Sequence, residues 1–554
     1  MNCINCNQPF TVTKQDLAFY EKVSPIIASK KFLLKTPQIC HPCREQNRIA
    51  FRNEKKLYQR KCDLCKKEII SVYSPDKNHV VYCNNCWWSD SWECTSTGRE
   101  YDFSKPFFQQ FSELLATAPI LALFAKNNVN SDYVNQETDD KNCYLNAGGH
   151  FNEDCYYNTY AHRCKNVMDN YWTFRCELCY MCVHSDDCFN STYLQNCNNV
   201  RDSHYSKECK NCEYCFGCYG LSHKKYCFFN EQLTPEAYTE KVAAILPSRS
   251  EREKYQQLAV SHFLKYPHEA TKMYTSEDSD GEMLMNCKNV HNAFNIEIAE
   301  DSKDLVICAY LKDCQDISAA GWAELCYQIT SSMKSYQLLF ASHCAEVKDA
   351  LYTIQSFNCD HLFGCIGLYR KSYCILNKQY TKEAYEALVP RIIEHMQSTD
   401  EWSQFFPMAM SPFAYNETVA QEYFPLSKAI VEQKGLRWQD HTLMNRYEGP
   451  QITIPDHIDQ VTDEILKQIL SGTECQKNYK VIQQELEFYR QRRIPASTLC
   501  LDCRHKYRLA LKTPNCLYDR NCQGCQKEIK TPYAPERKEI VYCNGCYQEA
   551  ITNL

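Results

Sequence analysis

The segment CHPCREQNRIAFRNEKKLYQRKCDLCKKEIISVYSPDKNHVVYCNNC spans residues 40–86, and CLDCRHKYRLALKTPNCLYDRNCQGCQKEIKTPYAPERKEIVYCNGC spans 500–546. Adding 460 to Cys40, Cys43, Cys62, Cys65, Cys83 and Cys86 gives Cys500, Cys503, Cys522, Cys525, Cys543 and Cys546 without a gap. The two ends of the chain are therefore copies of one module. Upstream, NCNQPFTVTKQDLAFY (5–20) pairs with ECQKNYKVIQQELEFY (474–489), which aligns Cys6 with Cys475.

Each copy contains C-x2-C-x17-C-x2-C: Cys62, Cys65, Cys83 and Cys86, and again Cys522, Cys525, Cys543 and Cys546. Structural zinc takes four tetrahedral ligands, and a C-x2-C knuckle delivers two thiolates from one tight turn. Binding at such a site supplies about 10–16 kcal/mol to folding, so small modules of this kind depend on their metal. A second set is Cys3, Cys6, Cys40 and Cys43, with 33 residues between knuckles; pairing Cys40 and Cys43 with Cys62 and Cys65 is the alternative. The carboxy-terminal copy departs here, because Gly472 stands where Cys3 would. That leaves Cys475, Cys500 and Cys503, with Cys516 and His505 as candidates for a fourth ligand. Three to four zinc ions are expected.

The helix predicted after each second knuckle carries Arg44, Arg48 and Arg52, and in the other copy Arg504, Arg508 and Lys512, spaced by four. Such residues share one helical face. Residues 39–61 hold seven basic and two acidic side chains. A basic helix braced by zinc knuckles suits phosphate contact, and a solvated helix face is the alternative.

Cysteine accounts for 38 of 554 residues: nine between Cys3 and Cys94, 21 between Cys143 and Cys374, and eight between Cys475 and Cys546. The middle group steps by 21, as in Cys155, Cys176, Cys197 and Cys218, and fixed self-similarity near this length marks a solenoid. Short β-favouring pieces alternate with Asn and Asp, which suit corners between strands. The reading is a parallel β-solenoid of about 21 residues per coil. It is itself duplicated: FGCYGLSHKKYCFFNEQLTPEAYTEKV (216–242) recurs as FGCIGLYRKSYCILNKQYTKEAYEALV (363–389), 147 residues on.

Cys209, Cys212, Cys215 and Cys218 form a run like an iron–sulfur ligand set, but Tyr219 follows where such a run has proline. At the 147-residue offset Cys176, Cys182 and Cys215 become Ala323, Ile329 and Leu362. Ligands do not tolerate that exchange, whereas inward-facing rungs filled by small apolar groups do. Tyr144, Tyr156, Phe189, Phe216 and Phe228 follow cysteines and should face outward, giving a Tyr- and Asn-rich recognition surface.

The CINCNQPFTVTKQDLAFYEK…CHPCREQNR stretch resembles the "probable zinc-ribbon domain" (treble-clef) family, which implies zinc binding and no activity. Taken whole, the chain resembles Cys-rich zinc-ribbon repeat proteins of uncultured bacterial lineages through FRNEKKLYQRKCDLCKKEIISVYSPDK (51–77) and FFPMAMSPFAYNETVAQEYFPLSK (405–428). Zinc binding and a cytoplasmic location are what this resemblance implies.

The expected fold class is mixed α+β and multidomain: treble-clef pairs at both termini flanking a duplicated parallel β-solenoid, with helical connectors. The expected boundaries are a tandem zinc module at 1–94, a helical connector at 95–132 and a solenoid block at 133–230. A helical insert at 231–280, a second block at 281–378, a packing arm at 379–470 and a second zinc module at 471–554 complete the chain. Thr234 and Thr381 are expected helix N-caps, and Phe107–Phe124 a helix broken at Pro119.

The formal charge of −6 implies no global attraction to nucleic acid. The apolar run Ala118–Ala125 is too short to span a bilayer, and MNCINCNQPF lacks the features of a secretory signal, so a cytoplasmic protein is expected. No nucleophile elbow, P-loop, dinucleotide fingerprint or HExxH occurs. The expected function is a non-catalytic, zinc-stabilised scaffold that binds a protein or nucleic-acid partner. A metal- or iron–sulfur-binding redox protein is one alternative. A carbohydrate-active β-helix enzyme is another, although Asp169, Asp186, Asp187 and Asp202 form no recurring acid pair.

Overall fold

The computed structural model describes residues 1–440 and 452–552. The chain is mixed α/β, with a large parallel sheet and cysteine clusters near both termini. It divides into two compact units, each discontinuous in sequence. One comprises Met1–Leu123, Thr271–Gln439 and Asn515–Leu517; the other comprises Phe124–Ala270, Asp440–Pro514 and Tyr518–Leu554. Each unit thus joins a terminal cysteine module to the central block that lies farther from it along the chain. A serial string of seven domains does not describe this.

In the second unit, isolated parallel bridges run from Val129↔Lys141 to Lys210↔Ser222, always between residues twelve apart. The strands Thr159–His162, Tyr171–Phe174 and Val183–Asp186 pair at the same offset. In the first unit an eight-stranded sheet repeats the pattern from Gly281↔Ala293 to Phe363↔Ile375 and ends in an antiparallel pair, Cys374↔Gln379. The expected period of 21 is therefore incorrect. The pairing offset is twelve.

From Asp154 to Tyr214, every third residue has a left-handed φ between 48° and 60°. A straight strand of 37 residues would extend roughly 120 Å. The stretch Ser318–Ile354 is that long yet pairs with residues twelve away at both ends, because a left-handed residue turns it at every third position from Leu325 to Tyr352. Asn and Asp tolerate this conformation better than other non-glycine residues, which accounts for their density at Asn166, Asp169, Asp187, Asn190, Asn196, Asn199 and Asp202.

Accounting for backbone hydrogen bonds explains the composition. In each triplet the first N–H donates to a carbonyl eleven residues ahead (Tyr144 to Cys155, 3.0 Å), and the left-handed residue donates to one thirteen behind (Tyr157 to Tyr144, 2.9 Å). The third N–H belongs to the inward-facing residue, and where the residue twelve positions earlier is Asn, Asp, Ser or Cys that side chain accepts it. Asn158 N donates to Asn146 Oδ1 (2.9 Å), Asn170 N to Asn158 Oδ1 (2.8 Å) and Cys182 N to Asn170 Oδ1 (2.8 Å). Serines do the same, as Cys215 N donates to Ser203 Oγ at 2.9 Å.

Cysteine fits this position because it is a small apolar side chain whose sulfur accepts weakly and whose S–H donates weakly. The Cys155 sulfur faces the N–H of Val167, and its S–H lies 3.4 Å from the Cys164 carbonyl. Cys218 receives the N–H of Asn230 and donates to the Cys227 carbonyl. All 21 cysteines between Cys143 and Cys374 occupy this third position, and all are buried. Burial drives the thiols of Cys155, Cys182 and Cys365 far above their ordinary range, so they stay neutral.

Helices cover the outward faces. Thr234 caps Pro235–Ile245 and Thr381 caps Lys382–Ser398, each accepting from the N–H three residues on, as their sequences predict. The helix at Phe107 ends at Leu115, short of Pro119. Tyr205, Phe216, Tyr219 and Phe228 pack against Tyr238, Val242, Ile245, Ala259 and Phe263 of the insert. The outward aromatics expected to form a recognition surface are thus partly sequestered. The packing arm expected at 379–470 contains the 382–398 helix and short helical turns around buried Trp402, Phe406 and Tyr415; its residues 441–451 lie outside the described residues.

The accounting predicts an inversion of the usual hydrophobic ranking. Cys155→Ala removes the acceptor for Val167 N–H and should cost about 1–3 kcal/mol, whereas Cys155→Ser keeps an acceptor and should cost less. Urea denaturation of the two variants measures the difference, and an alanine variant as stable as the wild type would refute the acceptor role.

Candidate metal centres

Four knuckles share one backbone. In each, a short hairpin ends in a turn with a left-handed residue: Asn7, Lys66, Gln476 and Gln526, with φ of 57°, 62°, 57° and 64°. The N–H of that residue bonds the carbonyl four positions back, of Cys3, Cys62, Gly472 and Cys522, at 2.8–2.9 Å. The second knuckle of each pair opens a helix whose N-cap is its first cysteine: Cys40, Cys83, Cys500 and Cys543. A helix N-terminus favours negative charge, but burial outweighs it and pushes the thiols of Cys40, Cys83 and Cys500 above their ordinary value.

The chain brings together Cys3, Cys6, Cys40 and Cys43; Cys62, Cys65, Cys83 and Cys86; and Cys522, Cys525, Cys543 and Cys546, with all sulfurs in a set within 4.8 Å of one another. The first grouping settles the alternative pairing of Cys40 and Cys43. Sulfur–sulfur distances of 3.6 Å (Cys6–Cys40), 3.9 Å (Cys65–Cys83) and 3.7 Å (Cys525–Cys543) lie far outside disulfide length. They match the ~3.8 Å edge of a tetrahedron with ~2.3 Å metal–sulfur bonds. The donor set therefore fits zinc.

Electrostatics agree. At Cys3 burial opposes ionisation, but N–H donors from Cys40, Cys6 and Asn5 outweigh it and bring the thiol down to about 6. Cys62 is brought down in the same way to about 7 and Cys522 to about 6. Burial and the neighbouring sulfurs push Cys43 and Cys86 upward. Each set presents part of its charge in advance, and a cation would draw out the remaining protons.

The fourth set is incomplete. Cys475, Cys500 and Cys503 gather within 4.8 Å, and among the described residues no His, Cys, Asp or Glu joins them. Cys516 belongs to the segment Asn515–Leu517 of the other compact unit. His505 is buried beside Tyr171, with ring centroids 6.3 Å apart. Neither expected candidate supplies the fourth ligand.

The arginines expected to contact phosphate point inward. Arg44 and Arg48 both reach the buried Asp316, at 2.5 and 3.2 Å, and Arg44 also reaches Asp304 at 3.3 Å. In the second unit Arg504 and Arg508 both reach the buried Asp169, at 2.6 and 2.5 Å, and Arg504 also reaches Glu485 at 3.0 Å. Arg52, also buried, donates to the Ser318 carbonyl and to Glu54. Lys512 lies 5.9 Å from the Tyr171 ring centroid. The five arginines are at most 4% exposed, so they form no phosphate-binding surface. His41, Asp304 and Asp316 also cluster like metal ligands, but Arg44 and Arg48 already neutralise the carboxylates, and their charge holds Asp316 well below the usual range against the cost of burial.

The docking aspartates were hidden in the sequence, yet a signal existed. Asp169 and Asp316 are 147 residues apart, the offset of the central duplication, while their arginine partners are 460 apart, the offset of the terminal one. Tyr180 and Tyr327 are likewise 147 apart and meet Tyr489 and Tyr20, at 6.0 and 5.2 Å, which correspond in the upstream terminal repeat at an offset of 469. Asp169 is thereby an ion-pair anchor; Asp186 and Asp187 bind Arg175, and Asp202 accepts from Asn190. None of the central cysteines enters a cluster of three or more metal-type donors among the described residues.

Removing one partner of a buried ion pair typically costs about 3–5 kcal/mol, because the other charge is left uncompensated. Asp169→Ala and Asp316→Ala should each fall in that range, in chemical denaturation of the full chain. A loss below about 1 kcal/mol, the scale of an exposed pair, would contradict the anchoring role.

No protein-family model matches the chain, and a search of curated proteins finds no match.

Proposed function

We propose that this protein is a non-catalytic scaffold, with zinc-ribbon (treble-clef) modules fastening two solenoid blocks of twelve residues per coil. The observation that carries this reading is the spacing of the three complete cysteine sets, whose sulfurs stand where a tetrahedral zinc ion requires them. Each terminal module would hold its shape through metal and present a rigid helix, from which the paired arginines reach the aspartate of a central block. Zinc thus serves attachment.

The twelve-residue pairing and the triplet of left-handed corners support a coil with four sides of three residues each. Its interior is filled by Cys, Ala, Val, Leu and Ile side chains. Binding would therefore use the outside, where Asn and Asp ladders run along the corners: Asn130–Asn142–Asp154 and Asn199–Asn211–His223 are spaced by twelve and joined by side-chain hydrogen bonds. A protein partner fits this surface better than nucleic acid, since the arginines that motivated a phosphate contact are engaged inside. No helix among the described residues is long and apolar enough to cross a membrane. The wholly thiol interior suits the reducing cytoplasm.

Elemental analysis of protein purified without added metal tests the reading. Three to four zinc per chain and no iron are expected, whereas iron with visible absorbance would replace the scaffold by a cluster protein. Acidification gives a second check. A thiol held near 6 in the fold and at an ordinary value of 9.0 when unfolded stabilises the folded form above the latter value and loses that contribution as pH falls through the former. Zinc affinity measured by chelator competition should accordingly fall below about pH 6.

A further inference from the structure

We infer that two copies of this chain associate through one outward side of the coil in the second unit, antiparallel, with Phe189 of each at the centre. Glu177, Phe189 and Arg201 are successive neighbours in the parallel ladder. Lys165 and Glu213 continue the row on either side of them, followed by Glu153 and Lys225. This gives the outer surface a partner, and it rests on the scaffold reading for the use of that surface.

Alternating charge along a ladder ordinarily serves the coil itself, and the outer members of the row do so. Lys165 reaches Glu153 at 3.4 Å and Lys225 reaches Glu213 at 2.9 Å, so both neighbours of the central triplet are engaged away from it. Glu177 and Arg201 stand two rungs apart, about 9–10 Å, with the Phe189 rung between them. Among the described residues neither side chain has a hydrogen-bond or ion-pair partner. Arg201 is exposed and Phe189 half-buried. A shallow, open concavity of about 490 Å³ lies against all three, with Asn198 and Asn199 completing its wall. The centre of the row therefore offers solvent an aromatic ring between two unanswered charges.

The order of the charges selects the occupant. Counted outward from Phe189, one side reads minus, plus, minus (Glu177, Lys165, Glu153) and the other plus, minus, plus (Arg201, Glu213, Lys225). A second copy turned by 180° about an axis through Phe189 and parallel to the strands reverses the row. Every charge then meets its opposite, and the two Phe189 rings meet at the centre. With the two coils aligned the same way, every charge would meet its like. The pattern survives in the first unit 147 residues on, as Glu324, Tyr336 and Lys348 flanked by Lys312 and Asp360. There Tyr336 is 39% exposed, Lys312 again turns outward to Glu300 at 3.4 Å, and among the described residues Glu324 and Lys348 again lack side-chain partners. The strip from Glu153 to Lys225 is about 30 Å long and one side of the coil wide. That is less than a permanent interface buries, so the association is reversible and held by charge.

Sedimentation velocity of the full chain, purified without added metal, provides the test. At about 50 mM salt reversible dimers should appear by about 200 μM protein, and about 1 M salt should disperse them. Glu177→Arg or Arg201→Glu sets like charges opposite each other and should weaken dimerisation about tenfold or more, and Phe189→Ala about threefold or more. The double variant Glu177→Arg/Arg201→Glu restores opposite charges in reversed order and should recover dimerisation to within about threefold of the wild type. A monomer at every concentration, dimers that ignore the single swaps, or losses that the double variant does not recover would each overturn the interface. Metal content measured on the same samples separates the two readings. A monomer with its zinc bound would overturn the interface and spare the scaffold reading, whereas swap-dependent dimers of a protein without zinc would uphold the interface and defeat that reading.

Discussion

One N–H in every three governs the central blocks. The twelve-residue ladder satisfies two of each triplet's three backbone donors and leaves the third facing the packed interior. Asn, Ser, Asp and Cys supply the acceptor from twelve residues below. Two features of composition then need no separate explanation. Cysteine abounds because it is the most apolar side chain that can still accept a hydrogen bond at that size, and Asn and Asp abound because they serve both the interior and the left-handed corners. Cysteine in this protein has two unrelated uses. At the ends it gathers in sets that could hold a cation, and in the middle it fills space.

A second relation ties the parts together. An aspartate at a left-handed corner, Asp169 or Asp316, sits between two arginines on a helix that begins at a cysteine knuckle. Neither group would be tolerated in a dry interface alone, since the desolvation of each is compensated only by the other. The knuckle fixes the helix, the helix aims the guanidinium groups, and the corner aims the carboxylate. The whole set of knuckle, helix and corner recurs in both units.

Much of this was legible in the amino-acid sequence. The 460-residue offset exposed the ligand sets at Cys62 and Cys522, and the preference for Cys3, Cys6, Cys40 and Cys43 as one set is the grouping the fold makes. The substitution of inward cysteines by Ala323, Ile329 and Leu362 pointed to rungs, and those positions are buried. The repeat length was misread. Cysteines at the third position of every triplet recur at any multiple of three, so a step of 21 stood out while the pairing offset of twelve left no stronger mark. The arginines were misassigned for a different reason: periodicity reveals which residues share a helical face but not what that face meets. Their partners are hundreds of residues away, and only the coincidence of two duplication offsets could have named them.

Residue-resolved hydrogen exchange on the native full chain tests the central claim most directly, because it reads the inward N–H groups one by one. The account predicts that the amides of Cys164, Cys182, Ser203 and Cys215 exchange as slowly as those of their ladder neighbours Tyr156, Asp169 and Tyr205. Rapid exchange at every third position, with protection confined to the other two, would contradict it.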